Sequence, residues 1–388
     1  MSNHKKYKFA IAGAGFSGAV LARELVTNLP CEVVIFEERN HIGGNCHTSR
    51  DKESGVMVHR YGPHIFNTNI EEVWDYIHQF CKMGTYIHQV KANTSKGIFS
   101  LPINLNTINE IYNKRLTPEE AKEFILQEID STIEDPKNFE EVALISVGKL
   151  IYETLIRDYS TKQWGCHPKE LPAEVVKRLP VRFNYNNNYH KSKFVGIPEN
   201  GYTNIIENIL NHPNITVKLN CIASRNLTEE FDHLFYCGPI DKFYNYKFGQ
   251  LGYRTVFWKE FIHNGDYQGI SQMNYTEMNP EYTRIIEHKH FTPWENHEKS
   301  FCSIEYSKET TKDDIPYYPK RLKEDLVKFN NYKGHAIEVE SKISFLGRLA
   351  TYRYLDMDKT IFEAIQFSKE FIASLGSNKR PIFPNQDL

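Results

Sequence analysis

The sequence predicts an α/β fold in which a domain with a parallel sheet is interrupted by a helical insertion and by an antiparallel β-sheet domain. The chain opens with an apolar strand, a glycine turn and an amphipathic helix. Its middle, up to about residue 180, has helical spacing of apolar residues and few glycines. Residues 246–310 are rich in aromatic and β-branched residues separated by polar turns. These patterns are typical of a parallel α/β sheet, of packed helices and of an antiparallel sheet, respectively.

The opening strand, Lys8–Ala12, runs into three glycines with G-x-G-x-x-G spacing. Gly13 allows a tight turn, Gly15 lets a pyrophosphate approach the backbone, and Gly18 lets the helix pack on the strand. The N-terminus of that helix presents free N–H groups to the phosphate. The context therefore favours a Rossmann-type dinucleotide site over an ordinary βα turn. The residues expected to contact the dinucleotide here are Gly13, Gly15, Phe16, Ser17 and Gly18.

A second apolar run, Glu32–Phe36, ends at Glu37, where a carboxylate is expected to hold a ribose hydroxyl. A basic residue and a glycine pair follow, and paired glycines allow close approach of a bulky ligand. This arrangement resembles flavoproteins of the glutathione reductase and amine oxidase kind and favours FAD over a nicotinamide cofactor, although a simple turn is the alternative. The residues expected to contact FAD in this segment are Glu37, Glu38, Arg39, Gly44 and Asn45.

The rest of the chain divides into further domains. Thr117-Pro118-Glu119-Glu120 is a typical helix start, within a predicted helix over 117–129. Further helices are predicted over 71–80, 107–113, 138–159, 203–210 and 359–375. The predicted domains are a discontinuous FAD-binding domain (1–80, 195–245 and 340–388), a helical domain (81–180) with a mobile active-site loop at about 165–182, and an antiparallel sheet domain (181–194 and 246–339).

Near the C-terminus, the strand at Ile343 is followed by Gly347-Arg348 and then by a helix with Asp356 near its start. This order is similar to the end of FAD domains, where a helix N-terminus faces an oxygen-rich part of the cofactor. From the residues alone, capping of the helix explains Asp356 and Asp358 equally well. His64, beside a Gly-Pro turn, is by spacing alone more typical of a structural histidine.

Composition excludes several classes of function. The 388 residues carry 47 Lys and Arg against 49 Asp and Glu, which gives no basic surface for nucleic acid. The seven cysteines are scattered without a C-x-x-C pair, so neither a zinc site nor a disulfide framework is expected. The sequence has no run of 18 apolar residues and no apolar region near Met1, which predicts a cytoplasmic protein without a membrane span.

Several longer motifs are more specific than the glycine turn. They are G-x-G-x-x-G at 13–18, Asn40–Asn45, Tyr61–Phe66, Lys162–Gly165, Leu179–Phe183, Tyr282–Lys289 and Gly347–Leu349. With them the chain resembles the bacterial UDP-galactopyranose mutase family over nearly its whole length. The resemblance implies an FAD-dependent isomerase, cytoplasmic and dimeric, that supplies galactofuranose for cell-surface polysaccharide.

The resemblance also implies the chemistry. UDP-galactopyranose and UDP-galactofuranose interconvert without net redox change, through a covalent adduct of the anomeric carbon with N5 of reduced FAD. The cofactor is thus the nucleophile, and the protein mainly positions the substrate and excludes water.

Site residues follow from the resemblance motif by motif. Arg178 and Arg284 match the two diphosphate arginines, and an arginine fork suits phosphate. His64 matches the histidine on the flavin side. The residues that match substrate contacts are Tyr159 and Trp164 for uridine, Tyr189, Tyr318 and Tyr354 for phosphate, and Asn274 and Asn67 in the substrate pocket. Arg348, Tyr354, Asp356 and Met357 are expected beside the flavin.

One residue departs from the family pattern. After His64-Ile65-Phe66 many members carry histidine, whereas this chain has Asn67, which is smaller and cannot become charged. The substrate is therefore left open between UDP-galactopyranose and a related sugar nucleotide, UDP-N-acetylgalactosamine or dTDP-fucose. An amine-oxidase-type oxidoreductase is a further alternative, but it would need an apolar substrate tunnel rather than two arginines facing the flavin.

Overall fold

The computed structural model describes residues 6–173, 181–377 and 379–385. The strands are, in chain order, β1 (Tyr7–Ala12), β2 (Cys31–Phe36), β3 (Thr48–Arg50), β4 (Met57–His59), β5 (Phe66–Thr68), β6 (Met83–Gly84), β7 (Val90–Thr94), β8 (Gly97–Leu101), β9 (Phe194–Pro198), β10 (Ile215–Lys218), β11 (His233–Tyr236), β12 (Tyr253–Asn264), β13 (Gln272–Tyr275), β14 (Arg284–Glu287), β15 (Lys299–Glu309), β16 (Tyr318–Pro319) and β17 (Ile343–Phe345).

The α-helices are, in chain order, α1 (Phe16–Asn28), α2 (Glu71–His78), α3 (Leu105–Ile111), α4 (Pro118–Glu128), α5 (Phe139–Ile151), α6 (Arg157–Trp164), α7 (Gly201–Leu210), α8 (Leu227–Glu230), α9 (Ile240–Phe243), α10 (Lys323–Val339) and α11 (Met357–Ser374). The helices predicted from periodicity are present with ends that differ by a few residues, except that the single helix predicted over 138–159 is interrupted.

A five-stranded parallel sheet forms the centre of the first domain, in the order β10-β2-β1-β11-β17. Both of its faces are buried, as is usual for parallel strands. Phe9 and Ile11 of β1 pack with α1 and α11 on one face, whereas Ala10 and Ala12 pack with residues of α10 on the other. The predicted α/β class with a Rossmann-type domain is confirmed.

The second sheet has seven strands in the order β16-β12-β15-β14-β13-β7-β8. It is mixed rather than purely antiparallel, because β13 and β7 run parallel. Strands β7 and β8 come from the range 81–180, which was expected to be helical, so that part of the expectation is wrong. The alternation of buried and half-buried residues over Val90–Thr94 is the period of a strand, whereas the longer segments that follow in this range have helical spacing.

Helix α10 corrects a second boundary. It lies within 246–339, the range assigned to the sheet domain, but Phe329, Tyr332 and Ala336 pack in one cluster with Phe36 and Phe345 of the parallel sheet. The apolar stripe of this helix therefore covers the second face of the first domain rather than the second sheet.

The helical insertion packs around Ile108, Ile125, Val147 and Leu171. The single helix predicted over 138–159 is interrupted at Gly148, where φ is +75°, and by a π-helical turn over residues 152–156. A Cβ at Gly148 would lie 2.6 Å from the carbonyl oxygen of Glu128, so the close approach of α4 requires glycine here. The π turn leads into α6, which carries Tyr159 and Trp164.

The structure bears on two simpler expectations. The seven cysteines are all free thiols. Among the described residues, no helix is both long and apolar enough to span a membrane.

Candidate active site

A cavity of about 520 Å³ lies between the carboxyl ends of the parallel strands and the seven-stranded sheet. Ligands of open α/β sheets bind at these strand ends. The cavity brings together residues predicted from segments throughout the chain. The predicted residues that line it are Gly13, Gly15, Phe16, Ser17, Gly18, Glu37, Glu38, Arg39, Gly44, Asn45, His64, Asn67, Tyr189, Arg284, Tyr318, Arg348, Tyr354, Asp356 and Met357.

Among the described residues, three of those predicted do not line the cavity. Tyr159, Trp164 and Asn274 lie outside its lining. Arg178 lies outside the described residues.

The glycine turn has the geometry that its spacing predicts. Gly13 has a φ of +106°, and a Cβ at Gly18 would lie only 2.0 Å from the carbonyl oxygen of Gly13. Gly44 also has positive φ, and a Cβ there would lie 3.3 Å from the Cα of Gly15. Helix α1 starts at Phe16 without a side-chain cap, so its first N–H groups are available to a ligand in the cavity.

Glu37 has a structural task that the sequence did not reveal. One carboxylate oxygen accepts a hydrogen bond from the N–H of Ala14 at 2.8 Å, and the other accepts one from the N–H of Arg39 at 3.0 Å. The side chain is 5% exposed and lines the cavity. Glu37 therefore fixes the glycine turn from the end of the second strand, and the predicted bond to a ribose would use its remaining lone pairs.

Two arginines have unused donors in the cavity. Arg39 donates to the Asn45 side-chain oxygen at 2.9 Å, but its Nη1 is buried without a partner among the described residues. Arg348 stacks over the ring of Tyr354 at 4.6 Å, and its Nε and Nη2 are likewise buried and unpartnered in the described chain. Buried donors of this kind are normally satisfied, so both arginines indicate an oxygen-rich or anionic ligand.

Helix α11 points its N-terminus at the same cavity. Asp356 occupies its N-cap position but makes no capping hydrogen bond with its side chain, whereas a carboxylate oxygen of Asp358 accepts from the N–H of Lys359 at 2.8 Å. Burial raises the pKa of Asp356, with the nearby Asp358 acting in the same direction. The capping alternative thus does not describe the side chain of Asp356, which remains free to face a ligand.

His64 is held as a neutral ring. Burial lowers its pKa to about 4, and the charges of Arg348 and Arg284 act in the same direction. Its Nδ1 lies 2.7 Å from the carbonyl oxygen of Gly62, which can only accept, so Nδ1 carries the proton. Nε2 is therefore an acceptor at neutral pH.

Arg284 is anchored by a residue that the sequence reasoning missed. Its Nη2 donates to a carboxylate oxygen of Glu305 at 2.6 Å, and Glu305 is fully buried. Burial alone would lower the pKa of Arg284, but the Glu305 carboxylate outweighs it and the net shift is upward. Its Nε has no partner among the described residues. Arg284 is thus a permanent cation with a donor to spare at the cavity wall.

Helix α6 is clamped against the second sheet by two cations. Lys162 Nζ donates to the carbonyl oxygens of Tyr275, Pro280 and Tyr282 at 2.7, 2.9 and 2.8 Å. From β12, Arg254 donates to the carbonyl oxygen of Gln163 at 3.0 Å, at the C-terminal end of the helix. The clamp fixes Tyr159 and Trp164 relative to Arg284. The sequence signal was available, because Lys162 belongs to a quoted motif, but no role was assigned to it.

Asn67 and Asn274 are engaged with protein atoms. The side-chain oxygen of Asn67 accepts from the hydroxyl of Ser192 at 2.9 Å, and its amide donates to the carbonyl oxygen of Ile65 at 3.3 Å. Asn274 accepts from the side-chain amide of Gln272 at 3.0 Å. Gln272 itself lines the cavity, together with His88 and His190, and none of these three was predicted.

Comparison with protein families gives two matches. The family described as "UDP-galactopyranose mutase" matches residues 154–354, and the family described as "NAD(P)-binding Rossmann-like domain" matches residues 11–80. The first match covers more than half of the chain and includes α6, Arg284 and Arg348. The second covers the glycine turn and the segment through α2.

Two relatives are each 48% identical to the chain over the aligned residues. One is a probable UDP-galactopyranose mutase of Klebsiella pneumoniae, aligned over 96% of this chain and 97% of its own length. The other is a dTDP-fucopyranose mutase of Escherichia coli, aligned over 94% and 98%. Among solved structures, a reduced UDP-galactopyranose mutase superposes with a TM-score of 0.70 at 16% identity, covering 96% of this chain and 97% of that one. At such identity the superposition supports the fold alone.

Proposed function

The chain belongs to the UDP-galactopyranose mutase family of isomerases, and we propose that it interconverts UDP-galactopyranose and UDP-galactofuranose. The observation that carries the proposal is Arg284, a permanent cation paired with buried Glu305 in the same cavity as the dinucleotide turn. A phosphate-binding cation in the cavity that also contains the glycine turn suits a nucleotide-sugar substrate. An amine substrate would be repelled by it.

We propose FAD, in its reduced form, as the cofactor. The residues present fit this group: the glycine turn leaves no Cβ between α1 and a pyrophosphate, and Arg39 and Arg348 supply buried donors without partners among the described residues. The N-termini of α1 and α11 both face the cavity. When bound, reduced flavin supplies the nucleophile for exchange at the anomeric carbon, so the protein itself needs none.

The protein's own residues then bind the diphosphate and stabilise the leaving group. Arg284 binds the diphosphate and stabilises the charge of the departing UDP. Tyr318 and Tyr354, which stack on each other with centroids 5.9 Å apart, present phenols beside Arg348 for further phosphate contacts. Arg178 is proposed as the second diphosphate arginine on the family motif alone, since it lies outside the described residues.

His64 and α6 complete the proposed site. Because His64 is neutral with Nε2 unprotonated, it can accept a hydrogen bond from a flavin or sugar group but adds no charge beside Arg284. Tyr159 and Trp164 are proposed as the uridine platform, since aromatic faces stack on a base and the cation clamp keeps α6 in place. The proposal further includes a cytoplasmic location and a homodimer, both on family resemblance.

A second candidate substrate is dTDP-fucopyranose, and UDP-N-acetylgalactosamine is a third. The dTDP sugar is favoured by one observation, the relative of that name at 48% identity, equal to the identity of the probable UDP-galactopyranose mutase. Asn67 lines the cavity, as expected for a residue that influences the choice of sugar.

The test is an anaerobic incubation of dithionite-reduced, FAD-loaded protein with UDP-galactopyranose, followed by HPLC. We expect a UDP-galactofuranose peak with reduced protein and none with oxidised protein. The dTDP- and N-acetylated sugar nucleotides are run in parallel to rank substrates. Absence of a furanose product from every sugar nucleotide, with hydrogen peroxide produced from an amine, would refute the proposal.

A further inference from the structure

Next to Arg284, one end of the cavity is walled by uncharged polar side chains to which the proposed chemistry assigns no role. His88, His190 and Gln272 line it, beside His64. The rings of His88 and His190 lie nearly parallel, with centroids 5.8 Å apart, and His88 is only 4% exposed. They come from three distant segments, so the wall exists only in the folded chain.

The wall leaves hydrogen-bonding atoms unused. Nδ1 of His88 lies 3.1 Å from the Tyr86 hydroxyl, which in turn lies 2.7 Å from the hydroxyl of Ser271. Nε2 of His88 and both ring nitrogens of His190 have no hydrogen-bond partner within the described ranges. The Gln272 amide nitrogen donates one N–H to Asn274, so its second N–H and its oxygen are left for a ligand.

The wall also lacks formal charge. Burial lowers the pKa of His88 to about 3, with His190 and Arg284 acting in the same direction, and burial lowers that of His190 to about 4. The neutral His190 ring offers one donor and one acceptor, and His88 adds its unpartnered Nε2. This pairing matches a hydroxyl group, which both donates and accepts, and does not match a carboxylate or a further phosphate.

Building on the proposed function, we infer that His88 and His190 are specificity-determining residues that hydrogen-bond hydroxyl groups of the hexosyl part of the nucleotide sugar. A site built to bind a hydroxyl discriminates against an analogue that lacks it, because the polar atoms of the site then lose their partner. The wall therefore selects the sugar, while Arg284 selects the diphosphate.

The test measures calorimetric binding to oxidised, FAD-loaded protein of UDP-galactose and its 2-, 3-, 4- and 6-deoxy analogues. In the parent protein at least one analogue should bind about five- to tenfold more weakly, the size of one or two net hydrogen bonds. In His190→Phe or His88→Phe, which keep a planar ring, that penalty should fall below about twofold. His263→Phe, on an exposed position of β12, is the matched control and should keep the parent penalty.

Equal binding of all analogues by the parent protein, or a penalty that persists in both cavity variants, would overturn the inference. If His88→Phe does not retain FAD, His190→Phe alone decides. Turnover of UDP-galactose by reduced parent protein is measured in parallel. Selective binding without turnover would refute the proposed function but still support sugar recognition by His88 and His190. Failure of the proposed function can therefore be distinguished from failure of this inference.

Discussion

The dinucleotide cradle and the end of the cavity around Arg284 are built in opposite ways. The cradle uses backbone from two nearby segments, residues 13–18 and 37–45, and its arginines have buried donors without partners in the described chain. The Arg284 end uses side chains from distant segments of the chain, and its arginine is already paired with buried Glu305. The cradle is thus shaped to receive the ligand's charge, whereas the Arg284 end keeps a cation fixed in advance.

This difference predicts a large loss of activity when Arg284 is removed. Arg284→Ala should lower kcat/KM at least about 10³-fold while FAD remains bound, because the diphosphate loses its cation and the leaving UDP is no longer stabilised. The measurement is furanose formation by reduced enzyme, together with flavin absorbance of the purified protein.

The matched control for Arg284→Ala is Arg225→Ala. Arg225 forms a two-pronged pair with Glu340, whose side chain is 3% exposed, so this variant also leaves a buried carboxylate without its arginine. If Arg225→Ala lost as much activity, the Arg284 effect would reflect destabilisation rather than phosphate binding. Arg284→Lys, which keeps the charge beside Glu305, should recover part of the activity.

At its glycine turn, the cradle is sensitive to side-chain volume. Gly18→Ala would place a Cβ 2.0 Å from the carbonyl oxygen of Gly13. Overpacking of this severity costs about 3 kcal/mol, so FAD affinity should fall about 100-fold. The measurement is flavin content and FAD dissociation.

Gly334→Ala is the control for this variant, because nothing lies within 4 Å of its Cβ position in α10. We expect it to retain FAD. Gly18→Ala protein with full flavin content would contradict the close packing of α1 on the turn.

The same comparison explains what could be read from the sequence. The glycine spacing predicted the cradle because local turn geometry requires glycine at 13 and 18. Arg284 and the tyrosines were assigned by family resemblance, since no local rule brings β14, β16 and residue 64 together. Glu305, Lys162 and the wall of His88 and His190 were missed, because their roles depend on strand register and on which face of a strand lines the cavity.

A buried histidine beside the second sheet should make the stability of the protein depend on pH. His288, directly after β14, is fully buried, and burial lowers its pKa to about 3. Below pH 6.5 this histidine binds a proton in the unfolded chain but not in the native protein. The free energy of unfolding therefore decreases as the pH is lowered from about 6.5 towards 3. At pH 5 the loss is about 2 kcal/mol relative to pH 7 for this one residue.

His288→Gln should therefore make denaturant unfolding less pH-dependent between pH 7 and 5, by about that 2 kcal/mol. Ser303→Ala is the control, because it removes the 2.9 Å contact with Nε2 of His288 but keeps the titrating ring. An unchanged pH dependence in His288→Gln would show that the ring is protonated in the folded protein.

The smallest predicted effect concerns the cation clamp of α6. Lys162→Met leaves three carbonyl oxygens without their donor, so α6 should hold Tyr159 and Trp164 less firmly against the Arg284 end. We expect KM for the sugar nucleotide and Kd for UDP to rise about tenfold, equivalent to about 1.4 kcal/mol, with kcat and FAD content changing less. Lys82→Met, an exposed lysine paired with Glu199, should leave KM unchanged.

A pH profile separates positioning from general loss of folding in this case. Burial lowers the pKa of Lys162 to about 8, although the charges of Asp158 and Glu277 oppose the shift. A neutral amine has two N–H donors for three carbonyl oxygens, so in the parent enzyme KM should rise as the pH passes through 8. Lys162→Arg keeps its charge and should lose this rise; if it retained the rise, another group would be responsible. The clamp would then be a structural support of α6 whose protonation does not limit binding of the substrate.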